Sequence, residues 1–216
     1  MNKFKTLRLA AAAGLAACWL APASIAMATP VDIVAFGDSL TAGYGLAPGE
    51  SFPEQLEAAL KARGLDVTVV NAGVSGDTSS DGLARLEWSV PVEADIVIVE
   101  LGANDALRGI DPAITKKALS DILAKLSARG QAVLLAGTLA PPNLGDAYAA
   151  EFNPIYPALA DEFDVPLYRF FLAGVAADPA LNHEDGMHPN AAGVAKIVEA
   201  MLPDVEALVA KAAASD

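Results

Sequence analysis

The chain has 216 residues and a net charge of −13, from 27 acidic and 14 basic side chains. This length corresponds to one domain with a short appendage, and a hydrophobic content of 54% excludes a disordered chain. A single cysteine excludes a disulfide scaffold and a cysteine-rich metal site. The acidic balance argues against a nucleic-acid-binding protein, because nucleic-acid phosphates would be repelled.

The first 28 residues have the pattern of a bacterial secretory signal peptide. They contain no acidic residue, carry basic residues near the start, continue with an apolar stretch at 9–20 and end in a small-x-small motif. We expect cleavage after Ala28, which leaves a mature domain over residues 29–216, and a periplasmic or secreted location. No other stretch approaches the ~20 apolar residues that a membrane span needs.

An alternative processing site lies inside the same segment. Residues 15–18 resemble a lipoprotein box, in which Cys18 would become a lipid anchor. Residues 19–28 are apolar, which argues against this alternative because a lipoprotein tether is usually polar.

Beyond residue 29, short apolar runs alternate with helix-like patterns. The predicted strands are 32–36, 67–71, 95–101, 132–138 and 165–168. The predicted helices are 53–63, 78–88, 114–129, 147–163 and 190–213, the last interrupted near Pro203. The run 96–99 is apolar throughout, which indicates a strand buried on both faces. We therefore predict an α/β protein, a three-layer α/β/α sandwich of the flavodoxin-like type around a five-stranded, mostly parallel sheet.

In such sheets, ligands bind at the carboxyl ends of the strands. The loop after the first predicted strand begins Gly37-Asp38-Ser39-Leu40. Ser39 lies near a helix start, where backbone N–H groups and the helix dipole favour a developing anion. Serine and aspartate also cap helices, so this motif alone does not decide between a nucleophile and a cap.

The loop before the C-terminal helix contains Asp185 and His188. Their three-residue spacing can bring both side chains to one side of a turn. A carboxylate on one imidazole nitrogen fixes the tautomer and leaves the other nitrogen as a general base. The other histidine, His183, has only the adjacent Glu184 beside it, which would point elsewhere. An ordinary surface histidine is the alternative for His188.

Two further loops follow predicted strands, at 71–78 and at 102–105. Glycine allows the backbone to approach a substrate, so an N–H group there can bind an oxyanion, and the Asn104 amide can do the same. Each loop alone is typical of an ordinary turn. Four such loops in order, each after a predicted strand, favour a catalytic site.

These four segments resemble the sequence blocks of SGNH hydrolases of the GDSL family. The matching blocks are Gly37-Asp38-Ser39-Leu40, Gly76 within 71–78, Gly102-Ala103-Asn104-Asp105 and Asp185-Gly186-Met187-His188-Pro189. Ala103 stands where the family often has glycine. The resemblance covers essentially all of residues 29–216 and is strongest for a secreted bacterial subgroup of thioesterases, lysophospholipases and arylesterases.

The resemblance implies a role for each matching residue. Ser39 would be the nucleophile, His188 the general base and Asp185 the residue that orients His188. The oxyanion hole would consist of the Ser39 and Gly76 N–H groups and the Asn104 side chain, with Gly73 as the second choice of glycine. No metal or other cofactor is required. Aspartates 77, 105 and 111 match no metal-ligand spacing, and we expect turn or helix-start residues there.

The loop at 138–145 is apolar and, by resemblance, borders an acyl groove. The candidate acyl contacts are Leu107, Leu139, Pro141 and Leu144. An apolar wall favours aryl esters, fatty acyl esters and lysophospholipids over sugars. We predict a monomeric serine esterase with a small-molecule ester or acyl-lipid substrate, and thioesters as a second substrate class. The alternatives are an exported carbohydrate acetylesterase of the same family and a non-enzymatic periplasmic lipid-binding protein.

Overall fold

The computed structural model describes residues 30–214. The predicted signal peptide, with Cys18 and the cleavage site after Ala28, lies outside the described residues. Within 30–214, no helix has the length and apolar character that crossing a membrane demands.

Five parallel strands form the sheet of the described chain, in the order β2-β1-β3-β4-β5. Their bounds are β1 Val31–Gly37, β2 Val67–Gly73, β3 Ile96–Glu100, β4 Ala132–Ala136 and β5 Leu167–Tyr168. The five predicted strands and the parallel sheet are therefore confirmed. The last strand is shorter than predicted, because only Leu167 and Tyr168 pair with β4 at this edge.

The central strands of the sheet are buried on both faces. All five residues of β3 are buried, in agreement with its continuous apolar sequence. Along β1, Ile33 and Ala35 join one hydrophobic core, whereas Val34 and Phe36 join another. Because successive side chains of a strand point to opposite faces, these two cores are the two sides of a three-layer sandwich.

Helices cover both faces. Their bounds are α1 Ser39–Ala42, α2 Phe52–Ala62, α3 Ser79–Ser89, α4 Ala103–Leu107, α5 Pro112–Ala128, α6 Gly145–Phe152, α7 Ile155–Phe163 and α8 Ala191–Ala212. Apolar residues of α2 and α8 form one core with the sheet, and those of α3, α5 and α7 form the other. The predicted α/β/α architecture is confirmed.

Two predictions about helix continuity are wrong. The C-terminal helix α8 continues through Pro203. Proline removes one backbone hydrogen bond, but Pro203 is exposed while its neighbours Met201, Leu202 and Val205 are buried in the core. Burial of that face keeps the helix whole. Conversely, the predicted helix 147–163 is divided into α6 and α7 at Pro154, which cannot donate a backbone hydrogen bond.

Candidate active site

Ser39 is held at the carboxyl end of β1. The strand ends at Gly37, and Asp38 is the N-cap of the short helix α1, its Oδ1 accepting a hydrogen bond from the Leu40 N–H at 3.0 Å. Ser39 is the first residue of that helix. No acceptor for its N–H group lies among residues 30–214, as expected for the first turn of a helix.

His188 and Asp185 reach Ser39 from the loop before α8. The His188 Nε2 atom lies 3.0 Å from the Ser39 Oγ atom, and the His188 Nδ1 atom lies 2.6 Å from the Asp185 Oδ2 atom. The loop is closed by hydrogen bonds from the His183 N–H to the His188 carbonyl and from the Asn190 N–H to the Leu181 carbonyl. A serine hydroxyl on an imidazole that a carboxylate orients is the arrangement that generates a nucleophile.

The hydrogen bonds that Asp185 accepts favour its ionised form. Its Oδ1 atom accepts hydrogen bonds from the backbone N–H groups of His188 and Met187, at 3.0 and 2.9 Å. These backbone bonds, together with the one from the His188 ring, hold the pKa of Asp185 well below its usual range. The carboxylate therefore keeps its negative charge beside His188 across the neutral range.

Tyr44 also contacts His188, and the sequence analysis did not identify it. The two ring centroids lie 4.6 Å apart with the planes tilted by 39°, and the tyrosine is 56% exposed. His183, in contrast, does not join the site. Its ring lies against Gly45, and its Nε2 atom has no hydrogen-bond partner among the described residues.

The two glycines of the loop after β2 differ in the state of their N–H groups. The Gly73 N–H donates to the Asn71 side chain at 3.0 Å, and a side chain on Gly73 would overlap the backbone of Ala42. Gly73 therefore permits close packing of β2 against the Ser39 helix. Gly76 has a φ of +91°, its carbonyl accepts from Arg108, and its N–H has no acceptor within 30–214.

Asn104 lies in α4, at the carboxyl end of β3. Its Nδ2 group donates to the Asp38 Oδ2 atom at 3.0 Å and to the Asp77 carbonyl at 2.9 Å. The side chain thus links the loops that follow β1, β2 and β3. Gly102, which precedes it with a φ of +114°, has no room for a side chain because the Tyr156 hydroxyl occupies that space.

A pair of buried carboxyl groups lies beneath the Ser39 loop. The Glu100 Oε2 atom accepts from the Thr41 hydroxyl at 2.8 Å, and Glu100 also hydrogen-bonds to Asp38. Burial raises the pKa of Asp38 to about 6, and burial followed by the nearby Asp38 charge raises the pKa of Glu100 well above its usual value. Both shifts favour the neutral forms of the two carboxyl groups. Glu100 is not among the predicted site residues, although an acid that ends an apolar strand is a recognisable signal.

An apolar cavity of about 540 Å³ opens beside Ser39 and His188. Of the four candidate acyl contacts, Leu107, Leu139 and Pro141 line it, whereas Leu144 is not among its lining residues. The turn at Pro142–Leu144 brings Leu144 towards Gly109, and Pro142 faces the cavity instead. Further apolar residues that were not predicted also line it, among them Leu40, Phe170, Leu172 and Met187.

The three aspartates considered for a metal site have other partners. Asp77 pairs with Arg85, and Asp111 caps α5 through the Ala113 N–H. Asp105 is fully buried and accepts hydrogen bonds from the Ser79 N–H and from the hydroxyls of Ser79 and Thr115. No group of three or more potential metal ligands occurs within residues 30–214.

A sequence profile of the GDSL-like lipase/acylhydrolase family matches residues 35–196, and the chain belongs to this family. It is 41% identical over 158 residues to an arylesterase of Vibrio mimicus, an alignment that covers 73% of this chain and 79% of the relative. It is 39% identical over 178 residues to thioesterase 1/protease 1/lysophospholipase L1 of Escherichia coli, which covers 82% of this chain and 84% of the relative.

A solved structure supports the same assignment. AlinE4, an SGNH-hydrolase family esterase, superposes with a TM-score of 0.71 at 48% identity, covering 83% of this chain and 97% of that chain. The resemblance inferred from the four sequence blocks is confirmed. The fold, the family and these relatives together define the chain as an esterase of the GDSL class.

Proposed function

We propose that this esterase hydrolyses carboxylic esters and thioesters through an acyl-enzyme on Ser39. The observation that carries the proposal is the hydrogen-bonded chain from Ser39 through His188 to Asp185, at 3.0 and 2.6 Å, at the mouth of an apolar cavity. In the first step, the Ser39 Oγ atom attacks the substrate carbonyl carbon while His188 Nε2 takes the hydroxyl proton. His188 then protonates the departing alcohol or thiol, and water releases the acyl group by the same route.

The negative oxygen of the tetrahedral intermediate needs hydrogen-bond donors. The N–H groups of Ser39 and Gly76 are the candidates, since neither has an acceptor among residues 30–214. Asn104 is the third donor, and one of its present bonds, to Asp38 or to the Asp77 carbonyl, must be shared with the substrate oxygen. Gly73 is disfavoured because its N–H group is already bound by Asn71. One such donor changes kcat by about 10²- to 10³-fold.

The cavity supports substrates with an apolar acyl or aryl group. Leucine, proline, phenylalanine and methionine side chains dominate its walls, and an acetyl group would fill little of its approximately 540 Å³. Fatty acyl esters, aryl esters and lysophospholipids fit this lining better than acetylated sugars do. The carbohydrate acetylesterase alternative is therefore the weaker one. A lipid-binding protein without turnover would have no need for the serine–histidine–aspartate chain.

Hydrolysis of p-nitrophenyl esters from acetyl to palmitoyl tests the proposal. The protein beginning at Thr29 is compared with Ser39→Ala and with Ser127→Ala, a matched serine exposed in α5. We expect turnover that rises beyond the acetyl ester, is lost by several orders of magnitude in Ser39→Ala and is unchanged in Ser127→Ala. Absence of turnover on every ester would refute the esterase mechanism. Turnover restricted to the acetyl ester would support the acetylesterase alternative.

We also propose that the protein is exported from the cytoplasm and is a monomer. Export is supported by the basic, apolar and small-residue pattern of the first 28 residues. Cell fractionation and N-terminal sequencing check it, with Thr29 expected as the first residue. A lipid-modified Cys18 as the first residue would establish the lipoprotein alternative. Sedimentation of the purified protein checks the monomer.

A further inference from the structure

Arg85 is a buried cation behind the two loops that carry Ser39 and Gly76. It projects from α3, and its side chain is only 9% exposed. Its three nitrogens each donate a hydrogen bond: Nη2 to the Gly37 carbonyl at 2.8 Å, Nη1 to the Ala72 carbonyl at 2.9 Å, and Nε to the Asp77 carboxylate at 2.5 Å. The guanidinium carbon lies 4.3 Å from the centre of the Phe36 ring. These contacts hold the planar, forked guanidinium group of Arg85 in one orientation.

The three acceptors lie at the end of β1, near the end of β2 and in the loop after β2, and one side chain bonds to all three. Gly37 ends β1, two residues before Ser39, and its carbonyl also accepts from the Val74 N–H at 3.0 Å. Ala72 is near the end of β2. Asp77 directly follows Gly76, and its own carbonyl accepts from Asn104. Arg85 therefore bonds directly to the segments that present the Ser39 and Gly76 N–H groups, and it reaches Asn104 indirectly, through Asp77.

Arg129, a second largely buried arginine, serves as the comparison for Arg85 because it lies away from the proposed site. The Arg129 side chain is similarly buried, at 13% exposure, and donates to the Val90 carbonyl and to the Glu87 carboxylate. It follows α5 and precedes β4, at the amino end of the strands. It has a carbonyl and a carboxylate partner, as Arg85 has, but it touches none of the loops around Ser39.

We propose that Arg85 is a positioning residue that sets the separation of the Ser39 and Gly76 N–H groups. This inference rests on the proposed acyl-enzyme function. An oxyanion hole works only when its donors are placed within a fraction of an ångström. A planar fork bonded to two strand ends and to the glycine loop fixes that placement, which a lysine ammonium, a single point donor, does not.

Arg85→Lys tests the proposal, with Arg129→Lys as the matched control. Each protein is measured for unfolding temperature, for active serine by stoichiometric labelling with a fluorophosphonate, and for kcat and KM on p-nitrophenyl butyrate. We expect Arg85→Lys to lower kcat per labelled serine by about 10- to 100-fold, with KM changed less than about threefold, because donor misplacement affects the transition state more than the bound substrate. Arg129→Lys is expected to retain the kcat of the parent protein.

Inhibition by an alkylboronic acid separates positioning from mere folding. Boronate forms a tetrahedral adduct on the serine, so its inhibition constant is expected to rise in Arg85→Lys in parallel with the loss of kcat. The inhibition constant of the matching primary alcohol is expected to stay constant, since this neutral molecule carries no negative oxygen for the proposed donors and binds through its alkyl chain. A lower unfolding temperature with unchanged kcat and unchanged boronate affinity would overturn the proposal.

Asp77→Asn keeps the proposal testable if Arg85→Lys does not fold. The isosteric amide weakens only the bond between Arg85 and the loop that carries Gly76, and a kcat about three- to tenfold lower, at constant KM, is expected. Full kcat in folded Asp77→Asn would then count against the positioning role. Parent protein and Ser39→Ala are assayed in parallel. If the parent does not hydrolyse esters, the proposed function fails. If the parent is active, Ser39→Ala is inactive, and Arg85→Lys and Asp77→Asn keep the kcat of the parent, the positioning role alone fails.

Discussion

Two cavities of nearly equal volume lie at opposite edges of the sheet. The one at the carboxyl ends of the strands has about 540 Å³ and contains Ser39, Asn104 and His188 among apolar walls. The one at the amino ends has about 560 Å³ and is lined by charged and polar groups such as Glu93, Asp95 and Arg129, with no histidine. Volume therefore does not distinguish the two. The difference lies in which chemical groups the strand ends bring together.

The polar side chains at the two edges also differ in their burial and in their hydrogen-bond partners. At the amino edge, Arg129 pairs with an exposed glutamate, and the Gln131 amide donates to the Pro91 and Ala94 carbonyls. At the carboxyl edge, Asp38 and Glu100 are buried together, at a cost in free energy that their raised pKa values express. This unfavourable burial lies at the edge that holds the proposed active site, and such shifted pKa values are typical of functional sites.

The largest expected loss comes from Asp185→Asn. The amide would donate to His188 Nδ1 and leave the proton on Nε2, so the ring could no longer accept the Ser39 proton. We expect kcat to fall about 10⁴-fold with the fold intact, as measured by ester hydrolysis and circular dichroism. A loss below about tenfold would mean that Asp185 does not set the histidine tautomer.

Asn104→Ala should have the next largest effect. It removes one proposed oxyanion donor, and we expect kcat to fall about 10²- to 10³-fold with KM nearly constant. Steady-state kinetics on the same ester series measure this split. A rise in KM at constant kcat would instead assign Asn104 to ground-state binding.

Leu139→Ala probes the apolar wall of the carboxyl-edge cavity. Loss of the isobutyl group should raise KM for octanoyl and longer esters by about tenfold or less, and leave acetyl esters unchanged. The control is Ile114→Ala, an exposed apolar residue that does not line this cavity. Equal effects on short and long esters would place the acyl chain elsewhere.

Glu100→Gln tests the buried carboxyl pair. Burial raises both folded-state pKa values, so the stability that the neutral forms contribute is complete below the unfolded-state pKa values of about 4. It is lost as pH rises, for Asp38 through about 6. Glutamine stays neutral and can still bond to Thr41 and Asp38. The unfolding free energy of Glu100→Gln relative to the parent should therefore increase from pH 4 to pH 8, by about 1.4 kcal/mol per unit of pKa shift that it removes. If urea unfolding gives the same free-energy difference between Glu100→Gln and the parent at every pH in this range, the effect expected from the buried carboxyl pair is contradicted.

Gln131→Met applies the smallest change, at the amino edge. Loss of one buried and one partly buried hydrogen bond should destabilise the protein by about 1–3 kcal/mol, while kcat and KM stay as in the parent. Urea unfolding and ester kinetics on one preparation check both. A loss of kcat would show that the two edges are coupled.

The sequence by itself determined the architecture and the candidate residues of the site. A short continuous apolar run such as 96–99 indicates a strand that is buried on both faces. The alternation of such strands with helices along the chain indicates a parallel sheet covered by helices. Loop residues that follow parallel strands must gather at one edge, so Ser39, Asn104 and His188 could be expected to lie near one another. The sequence was sufficient for these predictions because each of the motifs spans only a few consecutive residues.

Only the tertiary structure decided the features that join distant segments. Glu100 meets Asp38 across 62 positions, Arg85 meets Gly37 across 48, and the Ser39–His188 bond spans 149. The proposal of Gly76 rather than Gly73 as an oxyanion donor rests on the Asn71 side chain, which accepts from the Gly73 N–H group. Pro203 stays helical because the sheet covers its neighbours. These outcomes are set by burial and by hydrogen-bond partners that folding supplies, and neither is written in local sequence.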